Sequence, residues 1–215
     1  MIPVRIAGLA AASAGSADAL AGRLEPAPRS RAATLADHGE FTGALGACAQ
    51  SWATVLRFAG PRLAVSHEDM RAVVAEADRL LDAAARAAGE SRSAAARVLR
   101  GLDSGSGQAR ANAGAPLVAA ARLAAADAEG LAAAFPGAHL TPAAAGALIG
   151  TVPDVIAALQ SAFGYEAMLL DWACQENGCG AASAAASGPL AAALTLLRAA
   201  ALRVHTAVVV LRDAA

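Results

Sequence analysis

The sequence predicts an all-α protein, a bundle of about six to seven antiparallel amphipathic helices, and three features carry that expectation. Alanine, the strongest helix former, supplies 67 of the 215 residues. Apolar residues recur at steps of three and four along several stretches, which gathers them on one helix face. Aromatic residues make up only 3% of the chain, and β-branched residues are sparse before the last thirty positions, so little is available to build a sheet.

In chain order, residues 1–25 read as a short lead and a helix, with Ser16 or Asp18 as candidate caps and Leu20 and Leu24 on one face. Pro26 and Pro28 break the chain, and residues 33–40 read as a connector or short helix. The best-patterned region follows. Phe41, Leu45, Cys48, Trp52, Leu56 and Ala59 form one stripe, and Met70, Val74, Ala77, Leu81 and Ala84 form a second. Gly60-Pro61 separates the two, because proline lacks an N–H and clashes with the preceding turn. Ser66 is placed to cap the second helix and Gly89 to end it.

Ser91–Leu102 reads as a short further helix with Arg92, Arg97 and Arg100 near one face, either a solvated surface or a surface for an anionic partner. Asp103–Gln108 is small, polar and glycine-rich. The expected organisation is therefore a helical hairpin region over 1–102, a linker over 103–115 and a second helical region over 116–215. In the second region, Pro116 opens a helix to Ala134, and Thr141-Pro142 opens a short one to Ile149. Thr151-Val152-Pro153-Asp154 starts another, ending near Cys174. Gln175–Ser187 reads as a loop, and Ser187-Gly188-Pro189 starts a final helix to about Leu211.

Composition narrows the function. There is no lysine, the net charge is −1, and charges are scattered. Without a basic run or interleaved aromatics, nucleic-acid binding is not expected. Residues Ile6–Ala14 are too rich in alanine, glycine and serine for a signal-peptide core, so a cytoplasmic protein, or one exported without a cleaved signal, is expected. Leu190–Leu211 is long and apolar, but Arg198, Arg203 and His205 interrupt it; a core helix with outward arginines is favoured over a membrane contact.

No catalytic, cofactor-binding or metal-ligating set is identified. A phosphate-binding loop needs a lysine the chain lacks, and no Gly-x-Gly-x-x-Gly or Gly-x-Ser-x-Gly occurs. His38, His67, His139 and His205 are dispersed, and no metal-binding histidine spacing is present. Cys174 and Cys179 lie close enough to pair in an oxidising space or to remain reduced, with Cys48 left over. Glu166, Asp171 and Glu176 are expected on a solvated face, their pairing requiring burial.

Residues 1–89 add one more indication. A first helix, then His38-Gly39-Glu40-Phe41 through Leu45 and Trp52 into Leu56, Leu63 and the Met70–Leu81 stripe, resembles the alanine-rich helical-hairpin proteins of actinobacterial type VII (ESX) secretion. Trp52 is followed by Ala53-Thr54, so the Trp-x-Gly turn of the founding branch is missing, and Tyr165 is followed four residues later by Leu169 instead of an acid. The resemblance implies an antiparallel hairpin, a helical partner and association with secretion, and no catalytic residues.

The reading is a non-enzymatic protein that binds a protein partner or a second copy through helix packing. Phe41, Leu45, Trp52, Leu56, Met70, Val74 and Leu81 are the candidate contact residues. Two alternatives are a bundle holding a small apolar ligand near Leu159, Phe163, Leu169 and Leu197, and a membrane-associated protein anchored by 190–211.

Overall fold

The break at Gly60-Pro61 sets the first fold-defining pair. Helix α2 (Arg31–Ala59) ends there in a single 3-10 turn (Gly60–Arg62), and α3 (Glu68–Leu102) returns along it. Contacts run in opposite senses on the two helices, as an antiparallel hairpin requires. A Cβ on Gly43 would meet Arg92, one on Gly46 would meet Ala88 at 3.2 Å, and one on Gly60 would meet Val74 at 3.0 Å. Gly46 therefore permits the close backbone approach at this crossing. Arg57 reinforces it with two hydrogen bonds to Asp78, 2.9 and 3.1 Å long, which raise its already high pKa further.

This is a computed structural model, and it describes residues 2–22, 31–63, 68–102, 115–136, 138–175 and 180–213. Besides α2 and α3 these form α1 (Ile2–Ala21), α4 (Ala115–Ala133), α5 (Pro142–Gln175) and α6 (Gly180–Asp213), with no strand among them. The all-α bundle of six helices matches the expected class. Helix α2 packs against α3, α4 and α5; α5 packs against α1, α2 and α6; α1 meets α4, and α3 meets α6. The result is two rings of four helices that share the α2–α5 edge. One apolar core runs through both, from Ile6 and Leu20 in α1 to Leu197 and Val204 in α6.

Several expected boundaries differ from the structure, each for a physical reason. Ser16 and Asp18 lie inside α1 and do not cap it. Of the two readings of residues 33–40, helix holds and connector does not: they are the first turns of α2, continuous with Phe41. Gly89 does not end a helix: α3 is continuous for 35 residues, because Ser91, Ala94 and Ala95 keep the buried phase of Ala84 and Ala88. That burial outweighs the roughly 1 kcal/mol a mid-helix glycine costs.

The two helices expected over 142–174 are one. Thr141 does cap it, accepting the Ala144 N–H at 3.2 Å, but Pro153 sits inside. Proline removes one ladder hydrogen bond, whereas Leu148, Ile149, Val152, Val155 and Ile156 are all buried on either side of it. Pro189 is likewise internal, since α6 already begins at Gly180. The expected Ser66 cap, the Asp103–Gln108 linker and Cys179 lie outside the described residues.

Candidate functional site

The seven expected contact residues are all inside the protein. Phe41, Leu45, Trp52, Leu56, Met70, Val74 and Leu81 are buried, most of them completely. Both stripes are spent on packing α2 against its neighbours. Even the polar end of Trp52 is satisfied internally, its Nε1–H donating to Ser13 on α1 at 3.1 Å. Leu159, Phe163 and Leu197 are buried too and line neither of the two shallow grooves beside α2; the side chain of Leu169 lies outside the described residues.

A polar network lies deep in the ring formed by α2, α3, α5 and α6. His38 on α2 is fully buried. Its Nδ1 lies 2.5 Å from Glu166 Oε1 on α5, and its Nε2 lies 3.0 Å from Ser91 Oγ on α3. Ser91 donates its hydroxyl to the Ala186 carbonyl of α6 at 2.8 Å. Thr42 Oγ1 stands 3.4 Å from Nδ1, one turn further along α2. Counting protons fixes the roles. The single Ser91 hydroxyl hydrogen goes to Ala186, so Nε2 must carry a hydrogen and donate it to Ser91. A second proton must lie between Nδ1 and Glu166. Imidazolium with carboxylate, or imidazole with carboxylic acid, both meet this count and leave the site with no net charge.

Glu166, expected on a solvated face, is instead 2% exposed and buried with its partner. Asp171 is exposed, and Glu176 lies outside the described residues. Sequence reasoning missed this network because its members are 53 and 128 residues apart. The available signal was Ser91 falling in phase with buried alanines on α3.

Serine, histidine and carboxylate in this order resemble the relay of a hydrolase, but the surroundings do not support acyl transfer. Ser91 faces a carbonyl, an acceptor, where a developing oxyanion needs N–H donors. Ser91 and His38 have no exposed surface, and neither groove reaches them. What the network does is fasten four helices together at one point.

Two shallow grooves flank α2. One, of about 360 Å³, is lined by Gly43, Arg92, Arg122 and Glu129 among others; the second, of about 220 Å³, shares Gly43, Ala47 and Arg92 with it. Arg122 is paired with Glu40 at 2.6 Å. No group of three or more histidine, cysteine or acidic residues able to hold a metal occurs among the described residues. Cys48 is buried, and burial, then the charge of Glu129, pushes its thiol up to about 12.

The surface that stands out is on α6. Its inner face packs Ala186, Leu190, Ala193, Leu197, Ala200, Val204 and Ala207 into the core at alternating steps of four and three. A second seam with the same steps runs along the opposite face, from Gly188 through Ala192, Thr195, Ala199 and Leu202 to Thr206 and Val209. All of these are exposed except Ala199, which is partly so, and Leu202 is 65% exposed. The two threonines donate their hydroxyls to Ala191 and Leu202 carbonyls one turn back, at 3.0 and 2.9 Å, which leaves their methyl groups outward. An apolar run of 18 residues within Ala185–Leu211 is only 28% buried, against 44% for the corresponding run within Pro142–Met168 of α5. By length and composition both stretches could cross a membrane. As expected, Arg198 and Arg203 point outward, and His205 does too.

Fold and surface together define a helical bundle with an apolar outer seam on α6 among the described residues. No family model, curated protein or solved structure matches the chain.

Proposed function

We propose that this protein is a non-enzymatic helical protein that works by association with another protein, and that the outer face of α6 is its contact surface. The observation that carries the proposal is the second apolar seam of α6, which has no packing partner within the described residues. A soluble helix with one buried face ordinarily turns polar residues outward. Clustered exposed apolar residues mark interaction sites, and Leu202, Val209 and Val210 lie together on the last three turns. The stripes of α2 and α3, being buried, are the scaffold of the surface and not the surface itself. The resemblance of residues 1–89 to type VII secretion hairpins supports a partner of the same helical kind and a role as substrate or partner of that machinery.

Light scattering after size exclusion tests this, on the full chain alone and co-expressed with products of neighbouring genes. The expected result is a complex heavier than the 21.1 kDa chain, reduced to that mass by Leu202→Glu. A wild-type chain that stays at its own mass with every candidate would overturn the reading. The membrane alternative has one observation behind it, the low burial of Ala185–Leu211. A chain found only in the membrane fraction and released by detergent, with no protein partner, would favour it instead.

A further inference from the structure

Resting on the reading that α6 is a contact surface, we infer that its partner is a single amphipathic helix carrying acidic residues on both flanks of its apolar seam. The spacing of the seam points to a facing helix. Alternating steps of four and three, sustained from Gly188 to Val209, are the repeat of a coiled-coil seam, in which each side chain fits between four of a facing helix. Ala192, Thr195 and Ala199 are small, so the facing backbone can approach closely over this half, while Leu202 and Val209 supply larger knobs in the other.

The charges beside the seam set the sign of that partner. Arg198 and His205 border the seam on one side and Arg203 on the other, and no acidic residue occurs between Gly180 and Arg212. In coiled coils the residues flanking the seam choose the partner, because opposite charges pair across it and like charges repel. A second copy of this chain would set arginine against arginine in either orientation, which disfavours self-association. A lipid surface would be met by the same positive flanks, but helices that lie in a membrane interface insert large apolar and aromatic side chains. Helix α6 has no phenylalanine, tyrosine or tryptophan, and five of the seven seam positions are glycine, alanine or threonine. A facing helix uses such a surface; a lipid interface gains little from it.

The test titrates the full chain, by fluorescence anisotropy, against two designed helical peptides of about 28 residues, four heptads, with identical leucine–alanine seams. One carries glutamate on its flanks and the other lysine. Vesicles of anionic phospholipid form a third arm. The glutamate peptide is expected to bind, and the lysine peptide to bind about tenfold or more weakly. The double substitution Arg198→Glu and Arg203→Glu should reverse that order, with the far-ultraviolet circular dichroism of the protein unchanged. Leu202→Glu should weaken both peptides. Equal binding of the two peptides, or no change on charge reversal, overturns the inference. If Leu202→Glu then still weakens both, the contact surface stands and only its charge selection falls. If neither peptide binds and the vesicles do, the contact reading falls with it.

Discussion

Helices α3 and α6 are almost equally long, 35 and 34 residues, and they lie against each other, yet they treat water in opposite ways. The outer side of α3 carries Arg79, Arg86, Glu90, Arg92 and Arg97, with ion pairs Arg79–Glu76 and Arg86–Asp82 closed along its own surface. The outer side of α6 carries a continuous seam of alanine, threonine methyls, leucine and valine, with Arg198, Arg203 and His205 at its borders and no ion pair closed along it among the described residues. Both inner faces are used in the same way, with alanine-lined contacts that let backbones approach. The difference therefore does not come from packing within the chain. A surface shaped for solvent, like that of α3, already has its interactions satisfied by water and neighbouring charges; the surface of α6 gains free energy only by being covered.

The comparison can be broken first at the point where the two helices are tied together, the network of Ser91, His38, Glu166 and Ala186. Replacing His38 by leucine strands the Glu166 carboxyl in an apolar interior. Urea unfolding should show a loss of about 3–5 kcal/mol. Replacing His38 and Glu166 together by leucine should recover much of that loss, since apolar residues of similar volume need no proton and no partner. A double variant as unstable as the single one would mean that the loss is one of shape and not of stranded charge.

The two seams of α6 offer the next contrast. Leu197→Ala on the inner seam should cost about 2–5 kcal/mol, as a fully buried leucine does. Leu202→Ala, five residues on and facing out, should change stability by no more than about 0.5 kcal/mol. Comparable losses at both positions would show that the outer seam is packed within the chain. Ser91→Ala should fall between these. It leaves the Ala186 carbonyl without its donor and the His38 Nε2–H without its acceptor, at about 1–3 kcal/mol.

These contrasts also separate what the sequence makes legible from what it does not. Helix content, the Gly60-Pro61 break, the Thr141 cap and the outward arginines of α6 are local matters, decided by residues within a turn or two of each other. Gly89, Pro153 and Pro189 look like punctuation in a local reading. They are carried inside helices because residues on both sides are buried against other elements, and that information is not local. The same limit hid the network: Glu166 reads as an ordinary helical acid until α5 is laid against α2. The apolar stripe of residues 41–81 is legible as an interface, but much of what covers it comes from the chain's own later helices, α4 and α5 against α2 and α6 against α3.

An effect confined to alkaline pH concerns Cys48 on α2. The folded protein holds its thiol proton up to about 12, whereas an ordinary thiol releases it near 9.0. Between those pH values the unfolded chain binds fewer protons, so stability should fall as pH rises, by about one proton's worth of free energy per pH unit. Alkaline unfolding of Cys48→Ala beside the wild type checks this; the slope should flatten in the variant. The smallest effect belongs to the surface of α3, where Arg79→Ala should alter the unfolding midpoint little, the exposed pair being worth about 0.5 kcal/mol or less.

If a partner covers α6 and leaves α3 bare, site-specific photocrosslinking in cells measures the difference directly. A benzophenone side chain placed at Leu202 on α6 is compared with one placed at Glu90 on α3, both exposed positions of the folded protein. A discrete adduct with one further polypeptide, formed from position 202 and absent from position 90, is the expected result. Adducts of equal yield from both positions, or none from position 202, would contradict it.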